Sequence, residues 1–220
     1  KRITAIQLAR RTAEQYDAPA VPVFWVDAED HHWEEVASCT VLDGDLQPRT
    51  ITLPPPAGAG ERPVAHLTLD DGVEGSLAEL AGALAHSDFT DWVIAGLRAA
   101  YRPGTGMADA FARWLEALLG PHGLVVFDSA DPAAKPLVSD VFTRELAFPG
   151  RTTALATAAG EALTARGHDP QVLPQQDSAS LFHLDGVRRP IKHQGGSFVI
   201  GEKTVSPAAL AGEALREPGR

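Results

Sequence analysis

Apolar and polar positions alternate along the chain in stretches of helix and strand length. Ile3, Ile6, Leu8 and Ala13, set against Arg10, Arg11 and Glu14, predict an amphipathic helix over residues 1–16. Asp17-Ala18-Pro19 stops it. A short connection leads into Val21-Pro22-Val23-Phe24-Trp25-Val26, an apolar run with the character of a strand buried on both faces. It passes without a turn into Asp27-Ala28-Glu29-Asp30-His31-His32. Residues 36–42 and 46–53 predict two strands around the turn Asp43-Gly44-Asp45. Pro54 to Gly60 reads as a solvated linker. Residues 64–69 alternate as a half-exposed strand should, so 43–70 form a small β excursion.

Helices are predicted over 72–84, from a cap at Ser87 or Asp88 to 100, and over 107–118, where Gly120 and Pro121 end the last. Gly123-Leu124-Val125-Val126-Phe127 is a second buried strand, and it terminates in Asp128-Ser129-Ala130-Asp131-Pro132. Helix, strand and acidic strand end thus occur twice, the order expected of a parallel α/β sheet. Helices over 131–147 and 152–165 follow, the second closed by Gly167. Beyond 170 the pattern changes to short strands at 171–173, 180–184, 187–192 and 198–200, with Asp185-Gly186 and Gly195-Gly196 as turns. Ser206-Pro207 opens a last helix. The division expected is a core over 1–169 and a hairpin-rich segment over 170–220.

Ligands of open α/β sheets gather beyond the carboxyl ends of the strands. Asp27, Glu29, Asp30, His31 and His32 lie there, and Asp128 reaches the same cleft from the second strand. Carboxylate and imidazole side by side can act as general base, orient a nucleophile or hold a cation. On an extended chain Glu29 and His31 share one side while Asp30 and His32 share the other, so the two histidines meet only if the backbone turns. The bland alternative is a solvated strand end opening a helix, with Glu34 and Glu35 near its N-terminus. The spacing matches no common zinc pattern, and no metal is assigned.

Tyr101-Arg102-Pro103-Gly104-Thr105-Gly106 leads straight into a helix. Its guanidinium and backbone N–H groups suit an anion, although a purely structural turn reads the same way. Asp131-Pro132 is a helix cap. Arg188-Arg189-Pro190-Ile191-Lys192-His193 is a hairpin edge blunted by charge, or a contact for an anionic ligand or a further part of the protein. Cys39 is expected to be a buried small side chain.

Composition narrows the partners. A net charge of −10 and a pI near 5.2 argue against a nucleic-acid backbone or an anionic membrane. A single cysteine excludes internal disulfides and a cysteine-cluster zinc site, which makes a cytoplasmic setting the default. No apolar run approaches the roughly 20 residues of a membrane span. The start at Lys1 and the end at Pro218-Gly219-Arg220 are read as those of an excised piece of a longer protein.

Several blocks together resemble the bacillithiol biosynthesis cysteine-adding enzymes, the BshC family. They are Lys1 to Ala9, Val21 to Trp25 running into Glu29-Asp30-His31, and Tyr101 to Thr105 with Ala108 to Ala112. Gly123 to Asp128, Phe142 to Leu146 and the Leu181-Phe182 to Arg188 hairpin continue the series. The resemblance implies an α/β fold with a Rossmann-like parallel sheet core, flanking helices and a small β-rich insertion, akin in layout to class I aminoacyl-tRNA synthetases. Residues 170–220 become a connecting-peptide insertion, and a C-terminal coiled coil, absent here, would join two subunits. The implied reaction is the last step of bacillithiol synthesis, joining L-cysteine to the amino group of glucosaminyl-malate. That makes the protein a ligase, with ATP or ADP and Mg2+ as the implied co-substrate.

Matching positions carry the implied roles. Glu29, Asp30 and His31 form the catalytic set, with Glu29 or His31 deprotonating or orienting the amine. Trp25, Tyr101, Arg102, Gly104, Thr105 and Asp128 bind substrate, Arg102 and the Gly104–Gly106 backbone holding malate or phosphate. Asp30 and Asp128 bind hydroxyls of sugar or ribose, or a metal–nucleotide complex. The family pattern reads Glu-Asp-His-Asp, and His32 departs from it, leaving one carboxylate fewer and position 32 without an assigned role. The alternatives are a nucleotidyltransferase-like enzyme on the same fold and a ligand-binding or assembly scaffold.

Overall fold

A computed structural model describes residues 2–218, which form two compact units divided between Ala130 and Asp131. The first contains helix α1 (Arg2–Tyr16), strands β1 (Val23–Val26), β2 (Ser38–Leu42) and β3 (Pro48–Thr52), helices α2 (Gly72–Ala83), α3 (Thr90–Ala100) and α4 (Met107–Leu119), and strand β4 (Val125–Asp128). β1 and β4 pair in parallel, from Val23 opposite Val125 to Val26 opposite Asp128. Ile6 of α1 and Leu115 of α4 are buried with Leu124, and Phe24, Phe111, Leu119 and Val126 pack around them. One face of the two strands is therefore covered by helices.

The other face carries Val23, Trp25 and Val125, exposed to 53, 61 and 47 %. Trp25 packs there on Phe127, ring centroids 4.6 Å apart. The strand at Val21–Val26 was expected to be buried on both sides, and the structure corrects this. A continuous apolar run shows that both faces tolerate burial, not that both are covered.

β2 and β3 form an antiparallel hairpin, from Ser38 opposite Thr52 to Leu42 opposite Pro48. Asp43 Oδ1 accepts the N–H groups of Asp45 and Gln47, each at 2.9 Å, which fastens the predicted turn. Ile51, Leu80, Ala83 and Ile94 bury one side of the hairpin against α2 and α3. Cys39, directly opposite Ile51 on the same face, is exposed rather than buried.

The second unit holds α5 (Ser139–Ala147), α6 (Arg151–Thr164), β5 (Ser178–Leu184), β6 (Arg188–Gln194), β7 (Ser197–Ile200), β8 (Lys203–Val205) and α7 (Pro207–Arg216). The strands form one antiparallel sheet in sequence order. Gly195 and Gly196, at φ +58° and +79°, supply the left-handed turn between β6 and β7. Leu146, Ala179, Ile191, Phe198, Ile200 and Leu210 form the core. Thr153 Oγ1 of α6 donates to the Ser178 carbonyl at 3.1 Å. The helices between 131 and 165 thus fold with the hairpins, and the boundary expected at 169 falls inside this unit. The helix expected from 131 is interrupted: a 3-10 turn, Lys135–Val138, with Pro136 inside it, precedes α5. No strand forms at 171–173, where Val172 and Leu173 are solvent-exposed. The basic hairpin is occupied locally, Arg188 lying 3.8 Å over the Phe182 ring and Arg189 pairing with Asp185 at 3.2 Å.

Back in the first unit, residues 64–69 are not the predicted strand. Val64–His66 is a 3-10 turn, and a single bridge links Thr68 to Gly106. The predicted alternation survives in the burial of Leu67 and Leu69, and Val64 is buried three residues earlier; all three pack with Trp33, Ala37, Val73, Leu77, Met107 and Ala110. Pairing is split between two neighbours. The N–H groups of Val64 and Ala65 donate to the carbonyls of Asp30 and Ala28, both at 2.8 Å. Met107 and Gly104 donate to Leu67 and Leu69 at 2.9 and 2.8 Å, and Leu69 donates to Thr105 at 2.9 Å.

Leu67 is fully buried at the centre of this cluster. Leu67→Ala is expected to destabilise the first unit by roughly 2–5 kcal/mol, the range for deleting a buried leucine side chain. Urea unfolding followed by tryptophan fluorescence measures this, and a loss below about 1 kcal/mol contradicts the packing.

Candidate active site at the strand ends

β1 and β4 end side by side. Ser129 N–H donates to the Val26 carbonyl at 3.1 Å, and Asp128 Oδ1 accepts the Ala130 N–H at 2.9 Å. Asp128 thus closes the turn after its strand. The Ser129 hydroxyl beside it is buried and makes no hydrogen bond.

Beyond Val26 the chain bends instead of continuing as a strand. Ala28 is buried, its carbonyl held by Ala65, and the Asp30 carbonyl is held by Val64. Trp33 N–H donates to the His31 carbonyl at 2.9 Å, and a 3-10 turn runs over Trp33–Glu35 with Trp33 buried as its anchor. This bend satisfies the condition that an extended chain could not. Asp30, His31 and His32 come to one side: Asp30 Oδ1 lies 3.4 Å from His31 Nδ1 and 3.1 Å from His32 Nδ1, and accepts the His31 N–H at 2.6 Å. The two imidazole rings lie with centroids 4.5 Å apart, tilted by 32°. Glu29 is half-buried on the preceding turn, outside this trio.

A cavity of about 580 Å³ opens beside the bend. Trp25, Asp27, Asp30, His32 and Tyr101 line it, together with Arg2 and Phe111. Glu29, His31, Arg102, Gly104, Thr105 and Asp128 are not on its wall, and Arg102 is exposed. The N–H groups of Gly104, Thr105 and Met107 are engaged by the carbonyls of Leu69, Arg102 and Leu67. Glycine there serves a tight turn, with Gly104 at φ +80°, and these donors do not form a cradle for phosphate.

Arg2 is the cation that periodicity did not single out. Its guanidinium lies 4.5 Å from the Phe24 ring centroid and 5.2 Å from that of Phe111. Its position at the first turn of α1, adjoining the apolar Phe24 and Phe111 positions, has no sequence signal short of the fold. Burial pushes the Tyr101 phenol up to about 12, with Arg2 opposing the shift and Cys39 adding to it. The wall therefore combines a neutral phenol, a fixed cation, an indole and a carboxylate–imidazole cluster. Such a set can hold a polar small molecule and move a proton. A larger cavity, about 770 Å³, belongs to the second unit and is lined by His183, Arg189, Lys203, Glu213 and others, with no residue of the candidate site among them.

Comparison with known proteins matches residues 1–220 to the model of the bacillithiol biosynthesis BshC N-terminal Rossmann-like domain. The chain belongs to the BshC family. Its core is accordingly Rossmann-like, in agreement with the parallel pairing of β1 and β4. The BshC protein of Salinibacter ruber is 40 % identical over 174 residues, which cover 78 % of this chain and 31 % of that protein. That of Symbiobacterium thermophilum is 32 % identical over 237 aligned residues, covering 100 % of this chain and 42 % of its own length. That of Koribacter versatilis is 28 % identical over 215 residues, 97 % of this chain and 39 % of the relative. The chain therefore spans about a third to two-fifths of the length of these relatives. No helix among the described residues is long and apolar enough to cross a membrane.

The buried phenol sets a pH dependence. Below pH 10 Tyr101 is neutral whether the chain is folded or unfolded. Between about 10 and 12 the unfolded chain ionises it first, so stability falls as pH rises through that window. The difference between the ultraviolet titrations of the parent and of Tyr101→Phe, which leaves Tyr16 in both, is expected to show one phenolate step near pH 12. A difference step near pH 10 contradicts the burial.

Proposed function

We propose that the full-length protein is a ligase forming the amide bond between L-cysteine and the amino group of glucosaminyl-malate, the last step of bacillithiol synthesis. Family membership supports this, as do relatives named cysteine ligases. The observation that carries it is the strand-end cavity, whose volume of about 580 Å³ and mixed wall of Arg2, Trp25, Asp30, His32 and Tyr101 suit a polar small molecule.

Amide formation needs an activated carboxyl group, a deprotonated amine and stabilisation of developing negative charge. Glu29 or His31 takes the proton from the attacking amine as the C–N bond forms and the leaving group departs. Arg2, fixed against two aromatic rings, is placed to hold a malate carboxylate. Asp30 at the cavity wall and Asp128 at the neighbouring strand end accept hydrogen bonds from hydroxyls of the sugar, and Trp25 offers an apolar face. ATP or ADP with Mg2+ is proposed as the source of carboxyl activation. Its phosphates are not assigned to the Gly104–Gly106 loop, where the N–H groups of Gly104 and Thr105 are engaged. The full-length protein is proposed to be a cytoplasmic homodimer joined by a coiled coil outside this chain.

Glu29→Ala and His31→Ala in the full-length protein are expected to reduce bacillithiol formation, the true base by roughly 10²–10⁴-fold. Mass-spectrometric measurement of bacillithiol in cells that depend on the variant tests this. Normal output from both variants contradicts the assignment.

A further inference from the structure

We propose that Asp30, His31 and His32 form a binding site for one divalent transition-metal ion, Zn2+ in the first instance. One donor atom from each residue lies within 4.8 Å of the other two. The Asp30 Oδ1 separations from the imidazole Nδ1 atoms are 3.4 Å to His31 and 3.1 Å to His32. Zinc bonds of roughly 2.0–2.1 Å in a tetrahedron place ligand atoms about 3.3 Å apart, so these separations are those of neighbouring ligands around one ion. The 3.4 Å separation is long for a hydrogen bond, and His31 Nδ1 is a buried atom with no hydrogen-bond partner. A ring nitrogen held in that way, beside a carboxylate oxygen, presents its lone pair to whatever sits between them.

The donor set selects the ion. Two imidazole nitrogens and one carboxylate oxygen suit Zn2+, Co2+ or Ni2+, whereas Mg2+ and Ca2+ favour oxygen throughout. The side chains of Asp30, His31 and His32 remain 38, 44 and 55 % exposed, so the cluster lies at the surface although the His31 Nδ1 atom itself is covered. Three protein ligands leave a fourth position. Asp30 and His32 both line the strand-end cavity, so that position faces it, open to water or to an anionic or amine group of a bound molecule. His32, the residue that departs from the family pattern, supplies the second imidazole. His31 then serves as ligand, and proton transfer falls to Glu29.

The test is metal binding rather than turnover, and it stands whether or not the ligase assignment does. Full-length protein is stripped with a chelator and titrated with Zn2+ by calorimetry, then with Co2+ to read its visible absorption. One ion per chain is expected, with the intense Co2+ bands of a four-coordinate site. His31→Ala and His32→Ala are each expected to weaken binding by at least the roughly 10–100-fold that outer-shell changes cause at metal sites. His86→Ala, an exposed histidine of the same unit, is expected to bind as the parent does. Circular dichroism confirms that each variant is folded. Absence of stoichiometric binding, or binding that survives in the His31→Ala/His32→Ala double variant, overturns the proposal.

Discussion

The structure of the first unit depends on one backbone arrangement, the lacing of residues 64–69 between the bend after β1 and the loop before α4. Five hydrogen bonds of 2.8–2.9 Å carry it, from Val64 and Ala65 on one side and through Leu67 and Leu69 on the other. Each contributes about 0.5–1.5 kcal/mol net, but leaving such groups buried and unpaired costs more. The segment lies over Leu67 and Met107 in a dry cluster, so its polar groups have few other partners. Neither flanking loop has secondary structure that would hold it without this brace.

From the brace follow the positions of the reactive groups. Holding the Ala28 and Asp30 carbonyls makes the chain bend, and the bend aligns Asp30, His31 and His32. Holding Gly104 and Met107 sets the start of α4, which carries Met107, Ala108 and Phe111 into the cavity wall beside Tyr101. Arg2 arrives from α1 through its stacking on Phe24 and Phe111. The site is thus built from four separated stretches, and no two of them would form it alone. It belongs wholly to the first unit.

Much of this was legible in sequence where a regular period or a turn residue was present. The amphipathic helices, the two strands with acidic ends, the β2–β3 hairpin and the Gly195-Gly196 turn all follow from local chemistry. So does the clustering of acid and histidine beyond β1, as does the Rossmann-like core implied by the resemblance and supported by the family match. What sequence could not convey was non-local. Alternation at 64–69 correctly marks Leu67 and Leu69 as buried, but burial of Val64 follows the three-residue spacing of the 3-10 turn instead. The glycines of 101–106 suggested a phosphate cradle, but the Gly104 and Met107 N–H groups are taken by Leu69 and Leu67, 35 and 40 positions upstream, and that of Thr105 by Arg102 within the turn. Arg2 needed α1 to be docked before it could be seen as part of a wall. The exposure of Trp25 and Val23 needed knowledge of what covers each face of the sheet.

Amide hydrogen exchange in the first unit tests the brace most directly. The amides of Val64, Ala65, Leu69, Gly104 and Met107 are expected to exchange together, with protection close to that of the α4 interior. Rapid exchange of Val64 and Ala65, as free loop amides, while Met107 stays protected, would show that the bend is not held from this side and would contradict the account.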